Sequence, residues 1–459
     1  MNESLLVTQH PFTLEIGLTL AVIGFTFYLF ISDKFSTDIS AILILVVIGA
    51  VSQIPQVDTL LPPSVLFSGF SSNAVIALIA LMIMAGGIER SGAMDRVAQG
   101  IVNLSRGRQF RVIALVCGSA GLMSGVIQNI GVVALFVPVA SYLSVHTQVP
   151  INRILMPMSF SVILGGNLTI MGNSSLIVLN DIIRTNSAPE INTHAFPIFA
   201  VFPYGCALLC AGVILFCTAA NRLFPEAAST KNRERSETVE TSSLQGPSLQ
   251  RQTETADSVT QTPSATVAIT CFGGSLILAL LSDFPIGWGL WSGVLAMFLL
   301  KVINPESAYR AVSWNTVVML AGLIPLGIAV DYTGTASWIS TGLVRALPPE
   351  PFLIPYPVLI QITLALLTAS LTLVMSNVGA TVLLVPLAIQ LGQSTGQDPI
   401  TLALLVGLCA SNSFLLPTHQ ANALVLATGH YRVAEFTRVG LIVTSIYLGI
   451  VLVMINSLT

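Results

Sequence analysis

Charge is what this sequence has least of. Asp, Glu, Lys and Arg make up 8% of its 459 residues, while hydrophobic residues make up 54% and the mean hydropathy is +0.84. A soluble chain of this length needs far more charge to cover its surface, so a soluble globular protein is excluded. No basic stripe accompanies the net charge of −3, which removes nucleic acid as a partner. The six cysteines (117, 206, 210, 217, 271, 409) lie in apolar segments without metal-ligand spacing, so a disulfide framework is not expected. There is no HExxH motif, no pair of aspartates within a span and no serine–histidine pair at matching depth, so an intramembrane enzyme is not expected. The first apolar run lacks a preceding basic region and is expected to be a retained span, not a signal peptide.

What is present is a series of apolar runs long enough to cross a bilayer, about 20 residues each. Spans are predicted at 14–32, 39–54 and 73–89, then an apolar block at 112–146, then 153–182 and 197–221. A polar stretch rich in Ser, Thr, Gln and Glu, 222–266, is predicted to be a disordered linker. The rhythm then returns at 267–283, 287–302, 312–331, a block at 357–392, and 400–429 and 437–456.

Polar residues interrupt the two blocks, Gln128-Asn129 in one and Ser376-Asn377 in the other. Each arm is then about 16 residues, or about 24 Å of helix, short for a full crossing. Both blocks are therefore predicted to be re-entrant helical hairpins whose tips mark a site, because irregular backbone at membrane depth is tolerated only where it lines a cavity.

The halves also match in sequence. QNIGVVALFVPVA (128–140) aligns with SNVGATVLLVPLA (376–388), and Ser124 and Thr372 stand before the tips. Thr169 and Asn173 match Thr418 and Asn422, and GIERSGA (87–93) aligns with AVDYTGT (329–335), pairing Glu89 with Asp331. The expected fold is an all-α polytopic membrane protein of two repeats, 1–221 and 267–459. Each repeat has five spans, a re-entrant hairpin and a broken helix. Five is odd, so the repeats should be inverted. Of the 18 Lys and Arg, all but Arg184 and Arg345 then fall opposite the termini. The positive-inside rule puts the 222–266 linker in the cytoplasm and both termini outside.

At the tips the sequence resembles the divalent anion:sodium symporter family of the ion transporter superfamily. The family's paired Ser-Asn-Thr tips correspond to 128–130 and 376–378, and its Gly-rich break resembles GGNLTIMGNSS (165–175) and LLPTHQANAL (415–424). The segment 67–98 is similar to the family's Ser-Gly-Phe-Ser opening and third helix. The resemblance implies an elevator-type homodimer in the cell (inner) membrane, moving sulfate or a di- or tricarboxylate with sodium. It implies sodium ligands among Ser124, Gln128, Asn129, Gly165 and Gly172, and among Thr372, Ser376, Asn377 and Ser413. It also implies an anion between the tips, at Asn129, Ile130, Gly131, Asn173, Ser376, Asn377, Val378, Gly379 and Thr418. Ile130 and Val378 replace the family's Thr, which removes two hydroxyls and leaves the substrate open. Gln128 stands where the family has a small residue.

The residues support that chemistry independently. No ionisable residue falls at either tip, so helix N-termini and co-bound cations must neutralise the anion. Ser and Thr hydroxyls, Asn carbonyls and unwound backbone suit a hard cation. The absence of a carboxylate at a tip disfavours the alternative of a sodium/proton antiporter or arsenite-type exporter. Proton-coupled anion transport through His419 stays open, as does a structural histidine. Glu89 and Asp331 are expected to cap or pair near the surface.

Overall fold

The computed structural model describes residues 11–32, 34–54, 60–92, 99–101, 103–105, 108–185, 196–223, 265–281, 284–347, 355–417, 419–429 and 431–458. Apart from its ends, the predicted linker 222–266 lies outside them. The first half contains α1 (Leu14–Ser32), α2 (Thr37–Val51), a 3-10 turn (Ser68–Ser71), α3 (Asn73–Arg90), α4 (Gln109–Ser124) and α5 (Asn129–Thr147). Then come α6 (Asn152–Gly165), two 3-10 turns (Gly166–Leu168 and Ile170–Gly172), α7 (Ser174–Thr185) and α8 (Phe202–Leu223).

The second half contains α9 (Ala265–Leu281), α10 (Ile286–Leu299), α11 (Pro305–Ala311), α12 (Trp314–Tyr332) and α13 (Thr335–Ala346). It continues with α14 (Tyr356–Val374), α15 (Asn377–Thr395), α16 (Pro399–Cys409), α17 (Gln420–Gly429) and α18 (Val433–Leu458). No strand occurs among the described residues.

Eight of these helices are long and apolar enough to cross a membrane. Large apolar side chains point outward, among them Leu281 (81% exposed), Val145 (77%) and Leu299 (73%), a surface that suits contact with lipid. The chain is a multi-pass membrane protein. Its centre is built from α15, α12 and α3, which are 78%, 67% and 61% buried, whereas α1 is 28% buried and peripheral.

The predicted interruptions fall where expected. Asn129 and Asn377 are the first residues of α5 and α15, and the broken spans part at 166–173 and 410–419. The hairpin arms differ from expectation. Only α4 has 16 residues; α5, α14 and α15 have 19 each, which at 1.5 Å per residue is about 28 Å. Helix continues past the apolar blocks into residues such as Gln109, Thr147 and Thr395, which a hydropathy reading excludes. Arm length therefore no longer separates a re-entrant hairpin from two crossings. In the first broken span, α6 runs against α4 so closely that a methyl group on Gly165 would strike the Gly121 backbone.

The halves share more than element order. Four of the five positive-φ residues form two matched pairs among the described residues. Gly92 and Gly334 (φ 68° and 71°) follow the long helices α3 in the first half and α12 in the second. Gln148 and Gly396 (φ 57° and 71°) end the 19-residue arms α5 and α15. Packing is also exchanged reciprocally. Helix α2 lies on α12 while α10 lies on α3, α5 lies on α17 while α15 lies on α7, and α7 lies on α16 while α17 lies on α6. Exchange of this kind is what a two-fold relation between two copies produces.

Candidate cation and anion site at the hairpin tips

The tips and breaks gather oxygen atoms. In the first half, the Ser124 hydroxyl at the end of α4 donates to Asn129 Oδ1 at 2.6 Å, and both residues are buried. A methyl group on Gly166 would sit 2.7 Å from Asn129 Oδ1 and 3.3 Å from the Gly172 carbonyl oxygen. One on Gly172 would sit 2.7 Å from the Gly166 carbonyl oxygen and collide with that of Ser124. Ser124, Asn129, Gly166 and Gly172 thus turn oxygens toward one small space, with glycine needed at 166 and 172 for the approach. Thr169 fastens this turn. Its hydroxyl donates to the Gly125 carbonyl and accepts from the Met171 and Gly172 N–H groups at 3.1 and 3.3 Å.

The second half repeats the device with different residues. Asn377 Oδ1 accepts from Thr372 Oγ1 at 2.8 Å and Ser413 Oγ at 2.7 Å, and Thr372 Oγ1 lies 2.8 Å from the Ala410 carbonyl oxygen. Four neutral oxygens again converge. Asn422 steadies the break by donating to the Ser413 carbonyl at 2.8 Å.

Both sets suit a hard monovalent cation held by neutral oxygens. Among the described residues, no three His, Cys, Asp or Glu side chains gather where they could hold a metal ion. Each tip Asn uses its amide oxygen here, while its Nδ2 makes no hydrogen bond to a described residue. Each Asn also opens a helix, whose first-turn N–H groups lack intrahelical partners and carry partial positive charge. Ser376 accepts one such group, from Gly379 N at 3.1 Å; Gln128 is half-buried and makes no equivalent cap bond.

The other predicted residues divide. Ile130 and Gly131 are half-buried beside the first tip, while Val378 (2% exposed) and Gly379 are buried at the second. Asn173 is committed within the protein. Its Nδ2 donates to Asn167 Oδ1 at 3.0 Å and to Ser411 Oγ, and its Oδ1 accepts from Ser175 N at 3.1 Å. Asn173 therefore braces the break. Gly165 serves packing against α4, and Thr418 lies outside the described residues. His419 Nδ1 accepts from Ala421 N at 3.2 Å, a cap at the start of α17. Sequence reasoning missed Ala410, whose contribution is a backbone carbonyl and leaves no side-chain signature. A cleft lined by Asn73, Ile170, Met171, Asn180, Asp181 and Arg184 reaches the first break from the α3 side and includes neither tip Asn.

Broken helices with converging neutral oxygens, in a multi-pass membrane protein, are the arrangement that secondary transporters use. The chain belongs to the citrate transporter family, whose model matches residues 27–407. It is 24% identical to the uncharacterized transporter sll0640 of Synechocystis sp., over 93% of this chain and 94% of that protein. It is 28% identical to the Na(+)/citrate cotransporter of Mus musculus, over 34% of this chain and only 26% of that protein. Among solved structures, the YdaH transporter of Alcanivorax borkumensis has a similar fold, with a TM-score of 0.58 at 14% identity, covering 96% of this chain and 98% of that one.

Proposed function

We propose that this protein is a sodium-coupled symporter of a small anion of the sulfate or di- and tricarboxylate class. One observation carries the reading: each tip Asn commits its amide oxygen to an oxygen cluster and leaves its amide nitrogen without a described partner. A sodium ion in the cluster would take the place of those hydroxyl-to-amide hydrogen bonds, with the hydroxyls keeping their protons and turning them away from the ion. The adjacent Nδ2 and the first-turn N–H groups of α5 and α15 would hold the anion. Cation and anion then share one residue, and each reduces the cost of burying the other away from water. Ile130 and Val378 give this site an apolar rim where hydroxyls would favour carboxylates.

The reciprocal packing of the two halves supports inverted repeats, 1–221 and 267–459, joined by the 222–266 linker. In this reading the linker is cytoplasmic, both termini are outside, and the hairpins enter from opposite sides. The hairpins, broken helices, α8 and α18 form a unit that moves against α1–α3 and α9–α12 in an elevator motion within a homodimer.

Uptake of labelled sulfate, succinate and citrate into vesicles containing the protein tests this, with an inward sodium gradient or with choline. Accumulation of at least one anion in sodium and none in choline is expected. Equal uptake in both, or uptake driven in choline by a proton gradient, overturns sodium coupling.

A further inference from the structure

We infer that Asn173 and Ser411 form a joint that makes the two cation clusters bind cooperatively; this rests on the sodium reading above. The two clusters belong to different halves, yet the peptides that feed them are directly linked. Gly172 gives its carbonyl oxygen to the first cluster, and the same peptide unit carries Asn173. Ala410 gives its carbonyl oxygen to the second, and that peptide unit carries Ser411. The Asn173 amide donates to the Ser411 hydroxyl across the boundary between halves. Turning either ligand carbonyl toward an ion must therefore move the residue bonded to the other ligand peptide.

The surroundings keep this joint stiff. Asn173 and Ser411 are 3% and 1% exposed, so water is a poor substitute partner. Asn167 takes the second amide proton of Asn173 and donates to the Tyr447 hydroxyl at 3.3 Å; Tyr447 donates to the Leu408 carbonyl at 2.6 Å. One residue of α18 thus braces both breaks. A reciprocal tie runs the other way, from Ser159 Oγ of α6 to Asn422 Oδ1 at 2.7 Å, and Asn422 fixes the Ser413 carbonyl. Ordering one cluster then prepays part of the ordering of the other, which is positive cooperativity. Ser411 and Asn173 are positioning residues in this scheme. Neither hydroxyl nor amide needs to touch an ion.

The test is the sodium dependence of uptake by the full-length protein in vesicles, at saturating anion. The unaltered protein should show a Hill coefficient near two. Ser411→Ala should bring it toward one and raise half-saturating sodium by about fivefold, the lower end of typical coupling, while retaining the maximal rate. Ser411→Thr, which keeps the hydroxyl, should restore the steep curve. If Ser411→Ala does not accumulate in the membrane, Ser411→Cys keeps the volume with a poor acceptor and should flatten the curve equally. An unchanged Hill coefficient in the Ala or Cys variant, beside a steep unaltered curve, overturns the joint alone. Uptake that ignores sodium in the unaltered protein overturns the symport reading, and the joint with it.

Discussion

The two hairpin tips carry the same plan in different materials. Each begins its second arm with Asn and points that amide oxygen at a hydroxyl five residues back on the first arm, Ser124 at 2.6 Å in one and Thr372 at 2.8 Å in the other. The second tip is the better furnished. Ser413 adds another hydroxyl to Asn377, Ser376 caps α15, and a glycine ends that arm in the left-handed region. The first tip has no cap bond from Gln128, takes its remaining oxygens from backbone carbonyls, and ends its arm on the non-glycine Gln148. Their settings diverge as well, since α15 is 78% buried and α5 only 33%. The positions of the Asn residues and of the breaks match between the halves. The means of stabilising them differ, because a hydroxyl, a carbonyl or a cap serves the same purpose.

If the tips are functionally equivalent despite these differences, losing either Asn should be equally severe. Asn129→Ala and Asn377→Ala are each expected to cut uptake at least about a hundredfold, about 2.7 kcal/mol, with normal amounts of protein in the membrane. Normal transport by either variant breaks the equivalence. A smaller and unequal effect is expected from the remaining ligands. Ser413→Ala removes one oxygen of the second cluster and should raise half-saturating sodium about tenfold, in line with the loss of one bond to a charged partner. Gly172→Ala drives a methyl group into the carbonyls of Ser124 and Gly166, and no rotamer relieves it, so the first cluster should be lost in flux assays rather than weakened.

Selectivity should change less than rate. Ile130→Thr combined with Val378→Thr places a hydroxyl beside each tip and should shift preference toward dicarboxylates by up to about tenfold, since unpaired polar groups discriminate more than methyl groups do. Competition between succinate and sulfate measures it, and unchanged preference would remove these side chains as selectors. The smallest effect concerns the caps. Ser376→Ala should cost about 1 kcal/mol of stability and Gln128→Ala almost nothing, which thermal melting in detergent would distinguish.

Much of this architecture was legible in the sequence because lipid makes hydropathy a strong signal. The break between α4 and α5 was visible as Gln128-Asn129 inside an apolar block, and the second as Ser376-Asn377. The arm lengths were not, since helix begins at Gln109 in α4 and runs on to Thr395 in α15, where hydropathy is low. The amphipathic α13 and the short α11 were also passed over, being too mixed in polarity to read as spans. At the site, the hydroxyls that converge on the tip Asn residues, Ser124, Thr372 and Ser413, announced themselves by type. Asn173 was legible as polar and expected beside the anion, whereas only the fold reveals that Ser411 and Asn167 take its amide hydrogens. The Ala410 carbonyl was invisible for the opposite reason: its side chain says nothing about where its backbone points.

Ion binding to the purified protein addresses the oxygen clusters without requiring the transported anion to be known. Sodium should raise the melting temperature, as any ligand of the folded state does, and choline at equal ionic strength should not. Asn129→Ala and Asn377→Ala should each remove part of that rise, and the double variant all of it. A sodium-dependent rise that survives intact in the double variant would contradict the assignment of these two tips as the places where the cations bind.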